Sequence, residues 1–376
     1  MVSRKESSPT KECKLCRVLR ENTSLDNVLG VEATVHTPEQ LQERESMKVK
    51  KILLYSIAIV FTLLVIGGIV GVRYFNNMWF KDRPDHLAFT SDFNPIAFEW
   101  TQSTYGDYIE KHDVIRIPVT IGNLPHQFYL QLDTGAPTTL LYETPLKSLL
   151  EMDDGLSIIE KYGENYLQEL NLLMGGSKME LKTVKILPGY GSPIDRSDTT
   201  TQQKIGSIGA DLLNKYITEI NFKNQFLKFY AKREAWMNDK SNFQKFDFSG
   251  RRFMLPCTIE GKDHELFYDS GTSAFGLLTT RGRYRKYSKK ETKEIVYDAN
   301  RWGDALPIKH KATTTSMEMG GLEIPLRRVS YVDMYASTQG LIGPFTNIGG
   351  WLGNKPFLEY SLILDAPNEE FVILKK

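Results

Sequence analysis

The chain has 376 residues, is 41% hydrophobic and 25% charged, and sets 47 Lys+Arg against 46 Asp+Glu for a formal net charge of +1. This is the composition of a globular protein with room for two or three folding units. A charge so nearly balanced creates no global field, which argues against a nucleic acid or other polyanion as partner.

Residues 1–51 are polar at first and then basic, without sustained hydrophobic periodicity, and read as a disordered cytoplasmic tail. Cys13 and Cys16 form a lone Cys-x-x-Cys there. A zinc site would need two more ligands, and no Cys or His pair follows at finger spacing, so two reduced thiols are the expected state.

The run Ile52 to Val72 carries no charge over 21 residues, enough at about 1.5 Å per residue to cross the roughly 30 Å of bilayer hydrocarbon. Lys48, Lys50 and Lys51 stand directly before it, whereas Arg73, Lys81 and Arg83 after it are interleaved with Asp82 and Asp85. The positive-inside bias therefore predicts a single-pass protein with a cytoplasmic N-terminus and an extracytoplasmic remainder. A second reading starts the chain at Met47 and makes the run an export signal, but the run is long for that, and an uncleaved anchor is preferred. Gly67 and Gly71 fit the small-xxx-small spacing that leaves open a homodimer through this helix.

Residues 73–114 read as a connecting segment, and from Ile115 onward short apolar runs alternate with Gly, Pro, Asn and Asp, the pattern of an all-β fold. That β-rich part is written twice. Pro118-Val119-Thr120-Ile121 precedes a strand ending in Asp133-Thr134-Gly135, and Pro256-Cys257-Thr258-Ile259 precedes one ending in Asp269-Ser270-Gly271. Leu140-Leu141 follows the first turn and Leu277-Leu278 the second. Met174-Gly175-Gly176 then leads to Val184 as Met319-Gly320-Gly321 leads to Val329. After Gly209 come Leu213, Tyr216, Asn221 and Asn224, and after Gly353, at the same offsets, Phe357, Tyr360, Asp365 and Asn368. Three matches in one order imply two copies of a β unit, spanning 115–235 and 236–376.

Two such units are expected to pack about an approximate twofold axis, which brings equivalent residues together. Asp133 and Asp269, each an acid at the end of a half-buried strand, are the pair best placed to meet. Gly135 and Gly271 allow tight backbone turns beside them, and Thr134, Ser270 and Thr272 supply hydroxyls for the junction. Carboxylates held together share a proton, leaving one acid and one base able to activate water. Neither metal nor cofactor is required.

In these residues the chain resembles the pepsin-like aspartic proteases, whose two lobes each contribute an Asp-Thr/Ser-Gly turn. The resemblance extends over about residues 115–374. It implies a two-lobed double barrel with Asp133 and Asp269 as the catalytic dyad, Thr134 and Ser270 as a hydroxyl grip beneath it, and Ser207-Ile208-Gly209 and Trp351-Leu352-Gly353 threading behind the turns. It also implies a protein or peptide substrate. Tyr162-Gly163 is the candidate flap. The first turn departs from the pattern, having Ala136 where pepsins carry serine; loss of that hydroxyl is expected to raise the acidity constants of the dyad. The absence of paired cysteines and of Asn-x-Ser/Thr sequons after the apolar run favours a bacterial-type envelope protein. The alternative is a silent module that binds peptides or acts as an envelope receptor. Cys257 reads as a small core residue, and His112, His126, His264 and His310 as surface or loop histidines.

Overall fold

The computed structural model describes residues 37–79, 87–89, 94–161, 163–238, 242–301, 304–332 and 348–375. Its contacts divide the chain into two compact units, Met1–Val70 and Gly71–Lys376. Cys13 and Cys16 lie outside the described residues.

The apolar run is helical, as expected, but the helix extends over Pro38–Trp79. Residues 38–51, read from the sequence as part of the tail, fall within this helix. The helix start has a local cause. The Thr37 and Gln40 side chains reciprocally accept each other's backbone N–H, at 3.4 and 3.1 Å, and Pro38 occupies the first helical position, where its missing N–H costs nothing. The helix is long and apolar enough to cross a membrane, and Ile52, Leu53, Phe61 and Leu64 on it are exposed.

The second unit is mostly β-sheet, its described residues forming two nine-stranded sheets and one six-stranded sheet. Strands Leu87–Phe89, Ile96–Ala97 and Glu99–Tyr105, and the first half of Tyr108–Ile121, fall within the stretch 73–114 and belong to these sheets. Alternation is clear only in the second half of Tyr108–Ile121, where Ile115, Ile117, Val119 and Ile121 are all buried, with partly exposed or exposed residues between.

The internal repeat is visible in strand pairing. Strand Gln203–Ile208 runs parallel to Phe128–Leu132 and antiparallel to Leu140–Tyr142, which is itself parallel to Ser177–Leu187. In the second copy Ile348–Leu352 runs parallel to Lys262–Tyr268 and antiparallel to Leu277–Leu278, which is parallel to Arg328–Val332. The third matched segment joins the copies. Strands Ile217–Asn221 and Tyr360–Asp365 pair antiparallel with Glu219 opposite Ile363. These two positions lie equally far beyond Gly209 and Gly353, so the ladder is centred on equivalent residues, as a local twofold axis requires.

A buried ion pair fastens the hairpin Glu99–Ile121 to the second copy. Lys355 Nζ donates to Glu110 Oε2, which also accepts from Tyr108 OH at 2.5 Å, while Glu110 Oε1 accepts from His112 N at 3.0 Å. Cys257 is buried, which pushes its thiol up to about 12. His310 differs from expectation, whereas His126 does lie in a loop. His126 is buried, and His310 is completely so, in strand Asp304–Ala312, with Nδ1 2.7 Å from Ser330 Oγ. Burial first, then the charge of Arg328, lowers its pKa to about 3 and holds the ring neutral.

Removing Glu110 would strand the Lys355 ammonium. Glu110→Ala is expected to cost about 3–5 kcal/mol in stability, and the double variant Glu110→Ala, Lys355→Met well under the sum of the two single changes. Denaturant unfolding of the four proteins checks both statements.

Candidate active site

Each acid is delivered by the same device. Asp133 follows strand Phe128–Leu132 and Asp269 follows Lys262–Tyr268, and each backbone N–H is caught by the parallel strand behind it. Asp133 N donates to Ile208 O and Asp269 N to Leu352 O, both at 2.9 Å. Ser207-Ile208-Gly209 and Trp351-Leu352-Gly353 therefore pass directly behind the two turns.

The turns are locked together by four reciprocal bonds. Thr134 N donates to Ser270 Oγ, and Ser270 N to Thr134 Oγ1, both at 2.9 Å. The hydroxyls pass their own protons on: Thr134 Oγ1 to Tyr268 O at 3.1 Å and Ser270 Oγ to Leu132 O at 3.0 Å. Both side chains are fully buried. Thr272 Oγ1 donates to Asp269 O at 2.8 Å.

Glycine is demanded by close approach. A Cβ on Gly135 would lie 2.5 Å from the Asp269 carboxyl carbon, and one on Gly271 would lie 2.5 Å from Asp133 Oδ1. Each carboxyl thus rests on the opposite turn, close enough for each to act on the titration of the other.

The environments of the two acids differ. Burial raises the pKa of Asp133, opposed by N–H donation from Ala136 and Gly135, at 3.2 and 3.1 Å, and by the Lys204 cation. Burial raises that of Asp269 well above the carboxylate range, and the Asp133 charge raises it further, against one N–H from Gly271 and the charge of Arg252. The pair therefore holds a proton on Asp269 and a negative charge on Asp133.

Of the proposed flap, Tyr162 lies outside the described residues. Gly163 sits exposed at φ +75° in the turn between strands Ile158–Lys161 and Glu164–Met174. Among the described residues no three His, Cys, Asp or Glu side chains converge as metal ligands would.

Several supporting residues escaped the sequence. Asp211 accepts from Thr139 N and Oγ1, each at 2.8 Å, and Thr139 Oγ1 in turn accepts from Gly209 N. Asn354 accepts from Tyr268 OH at 2.7 Å and donates to Ser273 Oγ at 2.6 Å. The signal available was position, since Asp211 and Asn354 stand within two residues of Gly209 and Gly353. Lys204 and Arg252, which bias the acids, follow no motif.

No known protein family matches the chain, and no curated protein is significantly similar to it.

Thr134→Val preserves shape but orphans the Tyr268 carbonyl and the Ser270 N–H, and should destabilise the protein by about 2–4 kcal/mol in denaturant unfolding. A second outcome concerns pH. A carboxyl whose folded pKa is raised keeps a proton that the unfolded chain releases, so its contribution to stability declines as pH rises above about 3.9. Asp269→Asn removes that decline. Its melting temperature relative to wild type should therefore be higher at pH 7 than at pH 4, read by thermal unfolding at both.

Proposed function

We propose that the protein is a membrane-anchored aspartic endopeptidase in which Asp133 and Asp269 activate water for hydrolysis of a peptide bond. The observation that carries this reading is the close approach of the Asp133 and Asp269 carboxyls, the first buried and the second partly exposed, each on its own Asp-x-Gly turn and each seated against the glycine of the other. An acid pair held this close is costly for a fold to hold, and its steepest use is chemistry.

The mechanism follows from the difference between the acids. Asp133, carrying the charge, takes a proton from a water held by the pair, and Asp269, carrying the proton, polarises the carbonyl oxygen of the scissile bond. Attack by that water gives a tetrahedral intermediate. Proton return through the pair to the leaving nitrogen breaks the C–N bond and restores the starting charge state. No covalent enzyme intermediate arises.

Duplicated sheets, each threaded behind its acid by a parallel strand, support the finer reading of a two-lobed, pepsin-like double barrel. Helix Pro38–Trp79 supplies the anchor of this reading, with the N-terminus inside and the β unit outside the cytoplasm by the distribution of Lys48, Lys50 and Lys51.

Cleavage of an unfolded protein by the full-length chain in detergent should fall by at least about a thousandfold in both Asp133→Asn and Asp269→Asn; full activity in either variant removes the dyad assignment. The pH-rate profile is expected to be bell-shaped with its maximum above about pH 3. Ala136→Ser, which adds a hydroxyl beside Asp133, should move its acid limb to lower pH. A maximum below that value, or a limb that moves upward, contradicts the influence of Ala136 on the dyad.

A further inference from the structure

One face of the first sheet carries polar groups that the duplicated frame does not need. In strand Phe128–Leu132 the side chains of Phe128, Leu130 and Leu132 are buried while Tyr129 and Gln131 are partly exposed, and Asp133 continues the Tyr129–Gln131 face. Lys204 lies opposite Tyr129, and Arg116 opposite Gln131. The second copy repeats this register with Ile348 opposite Glu265 and Met254 opposite Phe267. Lys204, Gln131 and Arg116 thus correspond to Ile348, Phe267 and Met254. The second copy has apolar residues at all three places, with Phe267 and Met254 buried, whereas Lys204, Gln131 and Arg116 are partly exposed, so the two copies differ here in the face they present.

Lys204 is the unusual member. Its ammonium donates to Gln131 Oε1 and stands 5.2 Å from the centre of the Tyr142 ring. The carboxylates whose fields reach it are Asp133 and Asp113, but it forms no ion pair within 4 Å among the described residues. Asp113 is occupied by Ser103 Oγ and Tyr105 OH, at 2.6 and 3.0 Å. Arg116 is held by Glu99 at 2.9 Å. An ammonium has three donors, and one is used. Burial lowers the Lys204 pKa to about 8, so at neutral and acidic pH a partly exposed cation stands beside the acid pair.

We propose that Lys204 and Gln131 form a specificity subsite next to Asp133 that takes a carboxylate side chain of the substrate residue adjoining the scissile bond. The subsite rests on the peptidase reading of Asp133 and Asp269. A glutamate or aspartate there fills the free ammonium donors with a charge-assisted bond and offsets the positive charge. An apolar side chain leaves both donors unmet, the arrangement that discriminates most strongly among substrates.

The test is a peptide-library digest by the full-length protein in detergent micelles, with cut sites read by mass spectrometry and followed by matched peptides carrying Glu, Gln or Leu at the selected position. The expected result is enrichment of Glu and Asp by about tenfold or more at one position beside the cut. Lys204→Met should lose that enrichment in favour of apolar residues, and Lys204→Arg should retain it. Lys204→Gln gives the same reading if the methionine variant does not fold. Cleavage without acidic enrichment, or enrichment that persists in Lys204→Met and Lys204→Gln, overturns the subsite and leaves the peptidase reading intact. No cleavage by wild type, or cleavage surviving in Asp133→Asn, overturns the peptidase reading and the subsite with it.

Discussion

The arrangement around the two acids depends on an exchange of hydrogen bonds between two buried hydroxyls. Thr134 and Ser270 each accept the other's backbone N–H and each donate to the carbonyl before the other's aspartate. Like-charged groups do not stay together unaided, so the force that unites them must come from beneath. Four bonds in a fully buried junction supply it, and their reciprocity fixes the turns as equivalents. The ladder centred on Glu219 and Ile363 repeats that symmetry at a second level of the molecule.

With proximity imposed, electrostatics decide what the pair becomes. Burial works against charge on both carboxyls, but Asp133 receives two backbone donors where Asp269 receives one. The neighbouring cations are also divided, with Lys204 acting on Asp133 and Arg252 on Asp269. Asp269 is left the weaker acid and Asp133 the seat of the charge. A pair built by symmetry is thereby given two roles.

Much of this was legible in the residues, because duplication writes every important element twice. The Asp-x-Gly turns, the leucine pairs behind them and the segments after Gly209 and Gly353 all correspond in sequence and in strand pairing. Three things were less legible, each for a physical reason. The helix start at Pro38 follows from the capping exchange of Thr37 with Gln40, a signal present in the chain but outweighed by the polarity of the segment. The strands from Leu87 to Tyr105 are short and largely exposed, so they have little hydrophobic alternation to show. Burial of His310 comes from tertiary packing with Ser330 and Phe275, which no local pattern encodes.

Departures from the repeat are as informative as the repeat. Where both copies carry the same kind of residue, as at Pro118 and Pro256 or Leu140 and Leu277, the frame requires it. Where they diverge at equivalent registers, as Lys204 from Ile348 and Gln131 from Phe267, the frame is satisfied by either choice. In the first copy these positions are partly exposed, whereas Phe267 in the second is buried, so the polar residues go with an open face. The duplicated fold therefore contains its own control. It separates the residues that hold Asp133 and Asp269 together from those the frame leaves free to differ.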